Sequence, residues 1–461
     1  MNIFRIKNIM SVKEVTGSGQ SLNKTLTAFH LLLLGIGAVI GTGIFVITGT
    51  TSQVTGPALF LSFLLSGIAC VFVALVYTEI AAAIPTSGSV YTYSYIALGE
   101  YIAWITGALL VLEFGVGPTV VAAGWSAYVT DILKHLDIII PFEYTTVPSN
   151  GGIVNLPAMI ITFLITCLLI KGTKESALLN NILVVVKLAA ILLFVFIAVP
   201  HFDLKNWEPF APFGFNGIAQ GGAMVFIAFA GFDSLAAAAD ECKNPKRDIT
   251  IGLIGSLIIC TILYVIVAAV LTGIVPYTEL NNEKPLAHAL RLNGSSIGSA
   301  LVAAGGIAGM TTVLIVQIYA QSRVFYAMAR DGLLPKSFTK LHPRFNTPYV
   351  STIVTGLAVS LCAGFFPINT LNSLTNMGTL SVFIIASIVV VVLRHKNPEL
   401  ERPFKCPAIY LISSIAILLC GYLLYQLIPV AGVYYVGWLL FCTAIYFLYS
   451  YKSSNLNNNT I

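Results

Sequence analysis

Charge is what this chain has least of. Asp, Glu, Lys and Arg make up 9% of its 461 residues, against 57% apolar ones. That is too little to clothe a soluble surface, and apolar runs of about 20 residues recur from end to end. The chain therefore reads as an integral membrane protein. A cleaved signal peptide is not expected either. The first 25 residues are polar and basic, with no short apolar core before a small-residue cleavage site. The eight cysteines include no CxxC pair, and Cys70, Cys167, Cys260, Cys362, Cys420 and Cys442 lie in apolar runs, so they read as small hydrophobes. No disulfide framework, metal or cofactor is expected. The net charge of +5 does not point to nucleic acid, because the basic residues are scattered among short loops. No His, Cys or acid cluster offers a catalytic set.

What is present is a succession of twelve expected spans. They run over 26–52, 57–83, 100–133, 155–170, 180–200, 217–240, 249–274, 296–330, 350–367, 371–394, 408–429 and 432–450. With the N-terminus inside, 19 Lys and Arg fall on inner segments and 4 on outer loops. The positive-inside rule then puts both termini in the cytoplasm, as a multi-pass protein of the cell inner (cytoplasmic) membrane. Spans 3 and 8 are overlong and are expected to tilt or to run past the bilayer. Outside, 134–154 reads as a solvated loop and 279–293 as a short surface helix. Inside, 240–248 and 330–346 read as a charged cap over helix ends. Residues 1–25 and the Asn-rich 451–461 read as cytoplasmic tails, the second disordered.

Span 1 carries an anomaly. Residues 35–45 read GIGAVIGTGIF, with Gly35, Gly37, Gly41 and Gly43 crowded where lipid demands an unbroken helix. Broken backbone survives at that depth only where it lines a cavity, so one reading is an unwound site near Ile40–Gly43. The other is close helix packing through small residues. Span 6 has a matching interruption near Ala230–Gly231, followed by Asp233. Spans 1 and 6 are five apart, and a repeat of five spans places its second copy upside down. Two glycine-broken helices at corresponding positions of two halves point to a transporter site at the midplane. A helix restarting at Thr42–Ile44 presents free N–H groups that suit a carboxylate. Carbonyls freed near Val39, Ile40, Phe229 and Ala230 suit an ammonium. Together they fit a zwitterion, most simply an α-amino acid.

Two ionisable side chains lie well inside spans. Lys187 in span 5 is either a functional group with a labile proton or a lysine snorkelling some 10 Å to the inner interface. Glu113 in span 3 either meets a cationic substrate tail or pairs with another polar group of the bundle. Asp233 is expected to bond the freed backbone of span 6. Glu79, near the inner end of span 2, reads as a gate or loop anchor. Gln317 and Gln321 share one face of span 8 and either line the cavity or knit helices. Phe229 is placed as a lid over the solute, though an aromatic in a span is usually packing.

Five segments carry a family resemblance: GIGAVIGTGIF, IPTSGSVYTYSY (84–95), LEFGVGP (112–118), AFAGFDSLAAAADECKNPKRDI (228–249) and RVFYAMARDGLLP (323–335). Over residues 25–405 the chain resembles the amino acid–polyamine–organocation superfamily, and within it bacterial members of the cationic amino acid transporter family. The resemblance implies an all-α membrane fold with a LeuT-like core of five plus five spans. Its inverted repeats would be 26–200 and 217–394, with two peripheral helices in 408–450. It implies substrate held by Ile40, Gly41, Thr42, Gly43, Phe229 and Ala230, with Glu113 near the cavity and Gln317 at a specificity position. It also implies that Lys187 stands where sodium-driven relatives bind a cation, which favours proton coupling.

The expected function is alternating-access import of amino acids, with protons as the coupling ion and the lipid bilayer as a further partner. The alternatives are an amino acid exchanger without net proton movement, or a transporter of polyamines or related amines. A channel would need a continuous polar lining that these spans lack. A receptor would usually bring a signalling domain. No oligomeric state follows from the sequence, nor does the side chain of the amino acid carried.

Overall fold

The computed structural model describes residues 3–8, 27–84, 86, 88–135, 137–171, 173–235 and 244–458. The expected N-terminal tail between residues 9 and 25, and residues 240–243 of the 240–248 cap, lie outside them. Among the described residues the regular secondary structure is helical, with one isolated antiparallel bridge between Thr145 and Asn155. Eight helical stretches are long and apolar enough to cross a membrane, and Leu156–Lys171 and Tyr349–Phe365 are shorter apolar helices.

In chain order the main helices are α1 (Ala28–Val39), α2 (Thr48–Thr55), α3 (Leu59–Ala83), α4 (Ser89–Ala97), α5 (Glu100–Leu110) and α6 (Gly117–His135). They continue as α7 (Leu156–Lys171), α8 (Thr173–Ala198), α9 (Gly214–Val225), α10 (Pro245–Ile274), α11 (Pro285–Leu292) and α12 (Ser296–Arg330). The last three are α13 (Tyr349–Phe365), α14 (Ile368–Lys396) and α15 (Ile409–Ile445). One π-helical stretch, Gly43–Ile47, leads into α2, and a second, Val111–Val116, joins α5 to α6.

Burial separates centre from rim. In the apolar windows of Glu100–Lys134 and Gly214–Leu235, 78% of residues are buried, against 28% in Ile409–Ser453. On α15 the exposed face is Leu411, Leu418, Tyr425, Val433 and Leu440, and on α8 it includes Ile182, Val185, Leu192 and Phe196. Continuous exposed apolar stripes of this kind mark surfaces that meet lipid or another protein rather than water.

The sequence predicts two spans in 408–450, whereas the structure has one continuous helix from Ile409 to Ile445. The 45 residues of Ile409–Ser453 would reach about 68 Å as a straight rod, twice a hydrocarbon core of about 30 Å. Yet both ends of the stretch lie at one face. The Cys406 N–H donates to Glu79 Oε2 (2.8 Å) and the Tyr446 hydroxyl to Glu100 Oε1 (2.9 Å). The end of α14 joins those two carboxylates, because Arg394 donates to Glu79 and Lys396 Nζ to the Ala97 carbonyl. The helical stretch must therefore bend back between those ends, and Pro429 lies inside it, where its ring removes a ladder hydrogen bond.

Two further departures share that face. Helix α4 lies between two expected spans, where no element is expected, and residues 451–458 form helical turns where a disordered tail is expected. The tail is held by contacts no local pattern reveals. Ser454 Oγ donates to Glu100 Oε2 (2.6 Å), Ser453 Oγ to the Gly332 carbonyl, and Arg5 Nη1 to Asn457 Oδ1 (2.6 Å). Residues 3–8 lie extended across the same place, with Arg5 paired to Glu100 and Lys7 to Asp331. Glu100 is fully buried and accepts from Arg5, Tyr95, Tyr446 and Ser454 at 2.6–2.9 Å. On the opposite face, α11 is the expected surface helix. Asp131 of α6 ties it down through Arg291 at 2.9 Å and Lys284 at 2.6 Å.

Glu100→Ala removes the buried acceptor of four donors and deprives the partly buried Arg5 of its carboxylate partner, a loss of up to about 3–5 kcal/mol. Its thermal midpoint in detergent should fall by several degrees, while Glu143→Ala, in an exposed loop, should leave the midpoint where it was.

Candidate functional site

The break in the first span falls at Ile40. Helix α1 ends at Val39, and Ile40 turns to φ −75°, ψ 107°, still donating its N–H to the Ile36 carbonyl. Helical geometry resumes at Thr42 and continues through Gly43–Ile47. The first amides of the restarted segment, from Thr42 to Ile44, have no partner one turn back. The second break follows α9. A tight turn over Phe226–Ala228 leads into Phe229 and Ala230, and Gly231 takes φ +106°, open to glycine at little cost.

The two breaks touch. A Cβ on Gly43 would stand 2.2 Å from Ala228 Cβ and 2.3 Å from its Cα, and one on Gly231 would stand 3.0 Å from the Ala38 carbonyl oxygen. Both readings of the glycine stretch therefore apply, at different residues. The helix opens at Ile40, while Gly35, Gly37 and Gly43 let Ser256, Val184 and Ala228 pack against the segment. From α10, the Tyr264 hydroxyl lies 3.0 Å from the Val39 carbonyl oxygen and 2.9 Å from that of Ala228, spanning the two breaks.

Lys187 sits on α8, fully buried, and does not snorkel. Its ammonium donates to the carbonyls of Gly37 (2.6 Å) and Ile40 (2.8 Å) and to Thr312 Oγ1 of α12 (2.9 Å). Thr312 Oγ1 also lies 3.0 Å from the Gly37 oxygen. Of the carbonyls suggested for a substrate ammonium, Val39 meets Tyr264 and Ile40 meets Lys187. Those of Phe229 and Ala230 are the remaining pair.

Phe229 is fully buried in an aromatic trio, edge-on to Tyr264 with ring centroids 5.3 Å apart and tilted against Phe63 at 6.4 Å. Glu113 lies in the π-helical stretch Val111–Val116, fully buried, with Thr379 beside its carboxyl but no well-formed hydrogen bond to it among the described residues. Gln317 is buried on α12 with its Oε1 unpartnered, 3.2 Å from where a Cβ of Gly117 would stand. Asp233 lies by the amides of Gly231, Asp233 and Ser234 without a well-formed bond to any of them. Glu79 is an anchor at the face described above, its two oxygens taken by Arg394, Arg402 and the Cys406 N–H. Sequence reading missed Tyr264 and Thr312, whose apolar neighbourhoods carry no motif.

The arrangement offers amide donors, carbonyl acceptors and a buried ammonium within one crossing of helices, closed off by packed side chains. The sequence profile of the amino acid permease family matches residues 26–449. The chain is 44% identical over 461 residues to a branched-chain amino acid permease of Bacillus subtilis (strain 168), covering 99% of each. It is 44% identical over 459 residues to a methylthioribose transporter of the same organism, again covering 99% of each. It is 37% identical over 393 residues to the chloroplastic cationic amino acid transporter 9 of Arabidopsis thaliana, covering 83% of this chain and 68% of that one.

Gly43→Ala drives a methyl into the Ala228 backbone and should cost about 1–3 kcal/mol by overpacking. Its thermal midpoint should fall clearly below that of Gly421→Ala, a position with open space around it.

Proposed function

The chain belongs to the amino acid permease family of the amino acid–polyamine–organocation superfamily, and from that premise we propose that it imports α-amino acids by alternating access. Membership makes it a membrane transporter rather than an enzyme. In the proposed arrangement 26–200 and 217–394 are inverted repeats of five spans and 408–450 adds two peripheral ones. Both termini lie in the cytoplasm of a cell-membrane protein. The substrate carboxylate meets the amides of Thr42–Ile44, and its ammonium meets the carbonyls of Phe229 and Ala230. Glu113 and Gln317 face its side chain. Phe229 turns aside to admit it.

Protons are the proposed coupling ion. The observation that carries this is the Lys187 ammonium bonded to the Gly37 and Ile40 carbonyls at the break itself. A charged lysine ties α8 and α12 to the broken span through charge-assisted bonds. Loss of its proton removes the charge that strengthens them, so protonation state and the closure of the crossing depend on one another. A second reading, carriage of a sugar-like solute, rests on the methylthioribose transporter, which is as similar as the branched-chain permease.

In vesicles, Lys187→Met should lose uptake driven by a pH gradient by at least about tenfold, as one good hydrogen-bonded charge is removed, while still inserting in the membrane. Normal proton-driven uptake by that variant would sink the coupling. A thermal-shift screen of all amino acids and methylthioribose on the purified protein separates the two substrate readings, because a bound ligand raises the midpoint by mass action.

A further inference from the structure

Lys187 has a polar companion on its own helix. Asn180 and Lys187 are two turns apart on α8, so they share one face, about 10 Å apart along the axis. Helical side chains lean toward the N-terminus of their helix, so the lysine stem runs back along α8 toward the asparagine. Val184 stands between them. All three meet α1 at a single residue, Gly37. Its carbonyl accepts from the Lys187 ammonium at 2.6 Å. The place of its missing Cβ is 2.9 Å from Val184 Cγ2, 3.2 Å from Asn180 Nδ2 and 3.4 Å from Asn180 Oδ1. A side chain at position 37 would drive the amide off the α1 backbone.

Asn180 is 2% exposed, and among the described residues neither its Nδ2 nor its Oδ1 has a hydrogen-bond partner. The other buried asparagines of the described residues each make a bond. Asn155 accepts from Ser126, and Asn372 and Asn376 donate to the Met224 carbonyl. A buried amide is costlier than an aliphatic group of similar size unless its donor and acceptor are met. In the arrangement seen here a leucine would suit position 180 better. The amide has a use only in an arrangement where it is paired.

A neutral Lys187 creates such an arrangement. With its proton, the lysine gives the Gly37 and Ile40 carbonyls a charge-assisted donor. Once the proton leaves, that donor weakens and the end of α1 is under-satisfied. The other groups around the lysine do not replace it. Thr312 Oγ1 of α12 already lies 3.0 Å from the Gly37 oxygen and 2.7 Å from that of Gly309. Cys260 of α10, the titratable side chain beside Lys187, is a weak donor. Asn180 Nδ2 borders Gly37 and is uncommitted. Because α1 stops at Val39 and Ile40 is extended, α1 is not continuous with the restarted segment and can shift against α8.

We propose that Asn180 is a positioning residue for the coupling proton. Lys187 passes its proton to water on the cytoplasmic side and becomes a neutral amine. The Asn180 Nδ2–H then moves onto the Gly37 carbonyl and holds α1 in the deprotonated arrangement. This rests on the proton-coupled reading above. In that topology α8 runs outward from Thr173, so Asn180 stands on the inner side of the lysine, where the proton departs. By favouring the deprotonated state, the amide promotes the release that each net cycle needs. Exchange of one amino acid for another does not need that release.

The first test needs no substrate. It compares thermal midpoints of purified protein at about pH 6 and about pH 9, a range that brackets the titration of a buried lysine. At the lower pH the lysine is charged and Asn180 unpaired, so Asn180→Leu should match or exceed the wild-type midpoint. At the higher pH wild type gains the Asn180–Gly37 bond, so the variant should fall below it. In a Lys187→Met background the carbonyl lacks the lysine at either pH, and Asn180→Leu should lower the midpoint equally at both. An asparagine that only packs would lower the midpoint by the same amount at both pH values with the lysine present, and that result overturns the proposal. A variant midpoint at or above wild type throughout overturns it too.

The second test uses vesicles. Labelled leucine, alanine and arginine are offered under an inward proton gradient, and in counterflow against the same unlabelled amino acid without one. Asn180→Leu should slow gradient-driven uptake about fivefold, the weight of one neutral hydrogen bond, and counterflow by less than about twofold. Equal losses in both count against the proposal. If wild type carries none of the three, or Lys187→Met keeps normal proton-driven uptake, the earlier reading fails. The midpoints then decide by themselves whether Asn180 and Lys187 trade the Gly37 carbonyl.

Discussion

A buried ammonium holds the centre of this protein together. Lys187 has no carboxylate partner within hydrogen-bonding reach among the described residues, and its charge is met by the Gly37 and Ile40 carbonyls and one threonine hydroxyl. Those two carbonyls exist as acceptors only because the helix stops at Ile40. In turn, the broken backbone is tolerable at that depth only because a donor reaches it. Lysine and break explain one another. Neither is stable in a hydrocarbon environment alone.

From that point the packing propagates outward. Tyr264 reaches from α10 to a carbonyl on either side of the crossing, so both interrupted helices share one hydroxyl. Gly43 against Ala228 and Gly231 against Ala38 bring the two backbones closer than side chains would allow. Small residues here serve an approach that lipid-facing helices have no need of. At the two faces ion pairs take over. Glu79 and Glu100 gather helix ends and both terminal segments at one, and Asp131 ties α11 at the other. Charge that is scarce in the chain as a whole is concentrated where helix ends need partners.

Much of this was legible beforehand. The glycines of 35–43 and the interruption at 230–231 marked the breaks, because two such interruptions five spans apart are more than helix packing alone requires. Lys187 and Glu113 stood out because ionisable groups at depth are costly. Less legible was how these groups are satisfied. The Ile40 carbonyl suggested a ligand contact, and the structure gives it to Lys187. The 451–461 stretch looked disordered by composition, yet Ser453, Ser454 and Asn457 find partners on distant helices. Helix α4 was hidden in a segment of tyrosines and serines whose apolar content is too low for a span.

Composition and hydropathy alone settle that the chain lives in a bilayer, where it is helical and where two of its helices cannot continue. Those properties are local: each depends on what about 20 consecutive residues can do in lipid. Which carbonyl receives the lysine, and how both ends of the 409–453 stretch come to lie at one face, are matters of tertiary structure. They depend on residues over a hundred positions apart meeting at hydrogen-bond distance, as Lys187 does with Gly37 across 150 positions. No window along the chain contains both partners, so only the folded arrangement carries that information.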